Sequence, residues 1–259
     1  MRDIVANFKK YSYLLEELVK KDIKLKYRKS YLGILWTLLE PLMTMLVLTV
    51  VFSKLYGRDD STFPVYVLTG RLLYSFFSSC TKSATKSIRR NAGMIKKVYV
   101  PKYIYPVSNV ISSYITFLIS MIVLVGVSIY CKIKPSIYLL QGILPLFLLL
   151  VMALGVSLIL ATLSVFFRDL EYLWGVMTRL IMYSCAIFYQ PERVLRTGYI
   201  WVLKINPLYA IIVNFRNAVI YHAPLDTFST IYSVTFSFAV LFIGMYIFYK
   251  KQDEFILYI

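Results

Sequence analysis

The sequence predicts an all-α integral membrane protein. It has six transmembrane helices, an N-terminal amphipathic helix at the membrane interface, and two short re-entrant helices between spans 5 and 6. Two observations carry this class. Hydrophobic residues make up 59% of the 259, mean hydropathy is +0.68, and several apolar runs reach the ~18–20 residues needed to cross a bilayer. The net charge of +16 is gathered mainly in short segments between those runs, as the positive-inside rule expects. That placement argues against a nucleic-acid partner. Residues 1–259 read as a single transmembrane domain, with the bundle at 32–250.

Residues 1–31 form the basic approach. Ile4, Phe8, Tyr11, Leu14, Leu15, Leu18, Val19 and Ile23 recur at steps of three and four, which is the period of an amphipathic helix lying in the interface. The other reading of the same pattern is a helix packed on the protein's own surface. MRDIVANFKK has no signal-peptide pattern, so span 1 is expected to persist. That span runs from Leu32 to Phe52 and contains Glu40-Pro41. A mid-span carboxylate costs roughly 2.5–3.5 kcal/mol on insertion scales, and Pro41 frees a backbone carbonyl. Both are tolerated against other protein or a water-filled cavity.

Span 2 is read at 63–80 and is the least apolar, with Gly70, Arg71 and several serines. Loop 81–106 carries seven Lys/Arg and is placed in the cytoplasm. Span 3 is read at 107–130. Span 4, at 138–167, is long enough to be tilted, or broken near Pro145 and Gly155. Span 5 is read at 172–189 and span 6 at 231–249. Inner segments hold 19 Lys/Arg and outer segments 8, which puts both termini in the cytoplasm. Between spans 5 and 6, residues 190–230 hold apolar runs too short to cross, and these suit re-entrant helices. An ordinary external helical cap is the alternative.

The chain lacks the G-x-x-x-x-G-K-[ST] loop for ATP. Cys80, Cys131 and Cys185 match no metal or redox spacing and read as packing residues. His222, the one histidine, has no partner at metal spacing, so no metal site is expected. Asp169 and Glu171 are the nearest approach to an acidic cluster. Transport is therefore favoured over bond chemistry. A membrane glycosyl- or acyltransferase or a secondary transporter remains the contrasting class. In the loop after span 2, residues 83–98 are expected to form a short helix that ends before Pro101. It would present Ile88, Arg89, Arg90, Met94, Ile95, Lys96, Lys97 and Val98 to a partner. A basic loop resting on anionic lipid is the plainer reading.

Four stretches, in order, resemble the ABC-2 type permeases that export cell-surface polysaccharides such as O-antigen, capsule and teichoic acid. They are YRKSYLGILWTLLEPL (27–42) with VVFSKLYG after it, RRNAGMIKKVYVPKYIYP (89–106), FFRDLEYLW (166–174) and NPLYAIIVNFRNAVI (206–220). The resemblance implies a homodimer of six-span subunits in the cytoplasmic (inner) membrane, docked on two copies of a separate ATP-binding subunit that holds ATP and Mg. It also implies that loop 81–106 carries the coupling helix, with Arg168 and Asp169 beside it. The implied substrate is a glycan on a polyprenyl pyrophosphate or related lipid, passing along a dimer-interface channel lined by spans 1 and 5. A permease for a small hydrophobic drug or lipid is the alternative within the same class.

Sugar C–H faces stack on aromatic rings. The candidates along the path are Tyr31, Trp36, Glu40, Trp174, Arg179, Tyr183, Phe188, Tyr189 and Tyr209. Lys24, Lys26, Arg28 and Lys29 are candidates for a pyrophosphate at the inner mouth. Glu40 and Arg179 lie about 12 Å and 10 Å from the inner ends of their spans. Their similar depth predicts an ion pair.

Overall fold

The computed structural model describes residues 2–28, 30–56, 61–98, 100–191 and 200–259, with side chains from residue 11 onward except at 53–56. Lys29 lies outside the described residues. Helices and the turns between them make up the described chain, with no strand among them. They are α1 (Arg2–Tyr27), α2 (Trp36–Tyr56), α3 (Phe63–Arg90), α4 (Ala92–Ile95), α5 (Ile104–Tyr130), α6 (Ile143–Phe166) and α7 (Leu170–Tyr183). After these come α8 (Ile200–Ile205), α9 (Pro207–Arg216), α10 (Thr227–Lys251) and α11 (Phe255–Tyr258).

Among the described residues, four stretches are long and apolar enough to cross a membrane: Gly33–Phe52, Ile104–Tyr130, Ile137–Phe166 and Thr227–Tyr258. The 28 residues of α3 are long enough but mixed in polarity, and they continue past the predicted end at residue 80 into the basic loop. Span 5 needs a correction. α7 has 14 residues and reaches about 21 Å, short of a ~30 Å hydrocarbon core. Residues 184–190 that follow are not helical. The break expected in span 4 is also absent. Ile137–Gly142 is a 3-10 turn and Ile143–Phe166 is continuous, because Pro145 falls in the first turn, where no intrahelical N–H bond is due.

Pro41 stands inside α2 without ending it. The carbonyl that its missing N–H leaves free is that of Thr37, and Ser120 Oγ on α5 donates to it at 2.9 Å. A neighbouring helix thus satisfies the orphan group, as an apolar surrounding demands.

α3, α5 and α6 form the centre, with Tyr66, Leu68, Leu73, Phe77, Leu149 and Met152 buried between them and α9. A second cluster closes the basic end and joins Leu18 of α1, Ile88, Ile95, Ile104, Tyr105, Val165, Phe248 and Phe255. The apolar stripe of α1, expected to face the membrane interface, meets protein here. Leu18 and Val19 are buried, and Tyr11, Leu14 and Leu15 pack on the cluster. Of the two readings of that stripe, packing on the protein's own surface describes residues 11–19.

α6 and α10 touch backbone to backbone. A Cβ built on Gly155 would stand 2.5 Å from Leu241 N, and one on Gly244 2.5 Å from Gly155 O. Small residues bring helices this close where burial supplies little drive. Gly155→Ala is expected to force α10 outward at a cost of about 1–3 kcal/mol. Gly126→Ala, with nothing within 4 Å, serves as the control. Thermal unfolding of the detergent-purified protein would show a lower midpoint for Gly155→Ala alone, and equal midpoints would contradict the packing.

Candidate functional site

Three polar stripes at helical spacing converge at one place. α2 contributes Thr37, Glu40 and Thr44; α3 contributes Arg71, Ser75 and Ser79; α5 contributes Ser113, Thr116 and Ser120. Offsets of three, four, seven and eight residues put each set on one helix face. Together with Lys26, Tyr27, Trp36 and Phe117 they enclose a half-open cavity of about 110 Å³. Burial draws the Lys26 ammonium below its usual pKa, and Glu40 pulls it back up. Tyr27 is pushed upward by burial and then by Glu40.

The expected Glu40–Arg179 pair is not formed. Among the described residues Glu40 has no ion-pair partner and faces this cavity, whereas Arg179 is exposed on α7. Similar depth does not bring them together: Glu40 lines a cavity that α7 does not help to form.

The other path candidates divide in two. Tyr31, Trp36 and Tyr183 are exposed. Trp174, by contrast, donates its indole N–H to Thr81 Oγ1 at 2.9 Å and packs against Phe77. Phe188 stacks on Phe52 at 5.5 Å. Tyr189 donates its hydroxyl to Tyr183 O, and Tyr209 is half-buried on α9. Trp174, Phe188 and Tyr189 are thus half-buried and engaged within the fold. Lys24 and Arg28 are exposed around the cavity's Lys26.

Sequence reasoning missed Arg216. Asn206 caps α9 by accepting from Leu208 N at 3.0 Å, and Pro207 occupies the first turn, a favoured start. The last residue of α9 is Arg216, 2% exposed. Its guanidinium lies 3.5 Å from the Tyr66 ring centroid and donates to Ala186 O and Tyr66 O, each at 3.0 Å. Tyr66 OH in turn donates to Ala186 O and Tyr189 O. No carboxylate pairs with Arg216 among the described residues. A Cβ on Gly70 would sit 2.6 Å from Arg216 Nη2, so glycine is what lets the charge approach α3. The signal in the sequence was an arginine inside an apolar run flanked by Asn214 and Asn217.

At the basic end, the helix expected over 83–98 is divided. α3 runs to Arg90, where Asn91 Nδ2 takes the Ser87 carbonyl at 2.8 Å, and α4 is a single turn. Ile88 and Ile95 are core residues, 1% and 7% exposed, and so are withdrawn from any partner surface. Arg89, with Lys86, pairs with Glu171 at the start of α7. Arg90 pairs with Asp22 of α1 at 2.9 Å. Burial pushes the Asp22 carboxyl above its usual pKa, and Arg90 opposes this. Met94, Lys96, Lys97, Val98, Arg168 and Asp169 remain exposed.

Comparison with known proteins finds relatives along most of the chain. Residues 13–220 match the ABC-2 type transporter family. The O-antigen export system permease protein RfbA of Klebsiella pneumoniae is 27% identical over 244 residues, 93% of either chain. A second RfbA from the same organism is 30% identical over 206 residues, 79% of either chain. The polysialic acid transport protein KpsM of Escherichia coli is 25% identical over 262 residues, covering 96% of this chain and 97% of its own.

Arg216→Lys is expected to destabilise the protein by about 3 kcal/mol, because an ammonium cannot hold two carbonyls in the fork geometry of a guanidinium. Gly70→Ala should act in the same direction by displacing the same charge. A thermal midpoint unchanged in Arg216→Lys would show that the clamp is not needed.

Proposed function

The chain belongs to the ABC-2 type transporter family, and from that premise we propose that it is the membrane subunit of an ATP-driven exporter of a lipid-linked cell-surface polysaccharide. The observation that carries this reading is similarity along 93% of the chain to an O-antigen export permease. The physical picture is compatible with it. α2 is 11% buried over its apolar window, and α7 leaves Tyr172, Leu173, Val176 and Leu180 exposed. Two such faces suit a second copy of the chain, with the glycan between α2 and α7 of the two copies, where Tyr31, Trp36, Arg179 and Tyr183 are free.

In this reading α7 with residues 184–191 makes the fifth crossing, α3 is the second, and α8–α9 dip back from the outer side. ATP is hydrolysed by two copies of a separate subunit docked at the basic end, which is cytoplasmic. Met94 and Val98, flanked by Lys96 and Lys97, supply an apolar contact inside a basic rim. Arg168 and Asp169 lie at the turn before α7. Glu171, held by Lys86 and Arg89, ties that turn to the end of α3, so a push on the 92–98 segment is carried to α7.

The test is to purify the tagged chain from its native membrane and assay ATPase in what accompanies it. A P-loop ATPase is expected at one copy per chain. Met94→Asp with Val98→Asp should weaken that association by about 2 kcal/mol, roughly thirtyfold, while the chain stays monodisperse. Ile95→Asp should instead unfold the basic end. A chain that purifies alone and never stimulates an ATPase would defeat the proposal and return the secondary transporter to first place.

A further inference from the structure

The cavity between α2, α3 and α5 contains groups that the protein itself leaves unused. Glu40 and Arg71 both line it, and among the described residues neither side chain makes a hydrogen bond or ion pair; Arg71 has the ring of Tyr74 at 6.0 Å. The hydroxyls of Ser75, Ser79 and Ser113 likewise form no hydrogen bond among the described residues. Four other hydroxyls of the wall donate to backbone carbonyls: Thr37 to Ile34 O at 2.7 Å, Thr44 to Glu40 O at 2.7 Å, Thr116 to Ser112 O at 2.9 Å and Ser120 to Thr37 O at 2.9 Å. Two charges and three hydroxyls thus face one half-open space, Glu40 and Ser79 exposed at it and Arg71, Ser75 and Ser113 half-buried; such a wall suits a polar ligand reaching in from outside the bundle. At about 110 Å³ it exceeds the ~10–15 Å³ that admits one water.

We propose that this cavity binds the headgroup of a lipid that carries both a phosphate and free hydroxyls. The chemistry follows from the wall. Lys26, Arg71 and Glu40 sum to one positive charge, which favours an anion. A guanidinium forks onto phosphate oxygens, so Arg71 and Lys26 take the phosphate. Glu40 can only accept hydrogen bonds when ionised, so the ligand must also bring donors, and hydroxyls on a glycerol or sugar supply them. Ser75, Ser79 and Ser113 serve either partner. Trp36, exposed on the cavity wall, offers a flat face to the C–H side of such a group. The tail has a path, because Met43, Val47 and Val50 leave α2 apolar and exposed beyond the cavity. A choline headgroup has no hydroxyl to donate to Glu40.

The site deepens the export reading where the lipid is the glycan carrier, and in that case it rests on that reading. It lies within one copy of the chain and not between two. Two lipids share the required chemistry: phosphatidylglycerol, and a polyprenyl pyrophosphoryl sugar.

The experiment reconstitutes the purified chain in phosphatidylcholine nanodiscs doped with either phosphatidylglycerol or farnesyl pyrophosphoryl N-acetylglucosamine. Lipid retained after release is read by native mass spectrometry. Wild type should retain at least one probe. Arg71→Gln and Glu40→Gln should each lower retention about tenfold or more, the loss of one charge-assisted hydrogen bond, whereas Arg71→Lys should keep part of it. Ser75→Leu, which fills the cavity without removing a charge, should abolish retention and supplies the test if a charge variant fails to fold. Gly126→Ala should retain lipid as wild type does. Preference for the sugar pyrophosphate marks a loading site for substrate, and preference for phosphatidylglycerol marks a membrane-lipid site; either supports the proposal. Retention of neither probe, or retention indifferent to Arg71, Glu40 and Ser75, overturns it. ATPase co-purification is read separately, so failure here leaves the transport proposal standing.

Discussion

Backbone polar groups cannot be left unpaired where no water reaches them, and Arg216 is how this chain meets that demand where it stops being helical. After Tyr183 the chain turns through 184–190 with Cys185, Ala186 and Ile187 fully buried. Ala186 has φ +47°, a conformation that no helix continues. Its carbonyl accepts from both Arg216 and Tyr66. One guanidinium therefore joins α3, the turn after α7 and the end of α9. The short length of α7, the burial of α9 and the place of Gly70 all follow from keeping that cation within reach of two carbonyls and a ring.

The same principle recurs in smaller forms. Ser120 relieves the carbonyl freed by Pro41. Ser164 Oγ on α6 reaches Thr85 O on α3 at 2.6 Å, and Tyr74 OH reaches Thr178 O at 2.9 Å. Such bonds cross between helices whose packing gains little from burial alone. Gly155 and Gly244 act to similar effect by bringing backbones close. At the basic end, where water is available, ion pairs take over: Glu171 with Lys86 and Arg89, and Asp22 with Arg90.

The helical class and the apolar crossings were legible because length and hydropathy set them directly. The polar stripe on α2 was half legible, since Glu40-Pro41 demanded a wet or protein-lined setting and the cavity provides one. Which helices line a common cavity was not legible from depth, and so Arg179 was wrongly paired with Glu40. Residues 184–189 read as helix because apolar composition does not distinguish helix from buried turn; the group that stabilises the turn stands some thirty residues later. Ile88 and Ile95 read as docking residues because an apolar side chain in a basic loop looks the same whether it meets a partner or its own core. The break at Asn91 was written in the Asn-Ala-Gly sequence, a common way to stop a helix, but the run of helix formers on both sides outweighed it.

The cluster that buries Leu18 also contains Phe248 and Phe255. During synthesis Leu18 leaves the ribosome long before those two residues exist. Until they arrive, α1 has an apolar stripe with only part of its cover. A message cut short ahead of residue 248 would still encode most of the crossings, yet it would yield a protein whose basic end never closes. The contact between early and late segments thus makes the stability of this end a reading of how far translation has gone.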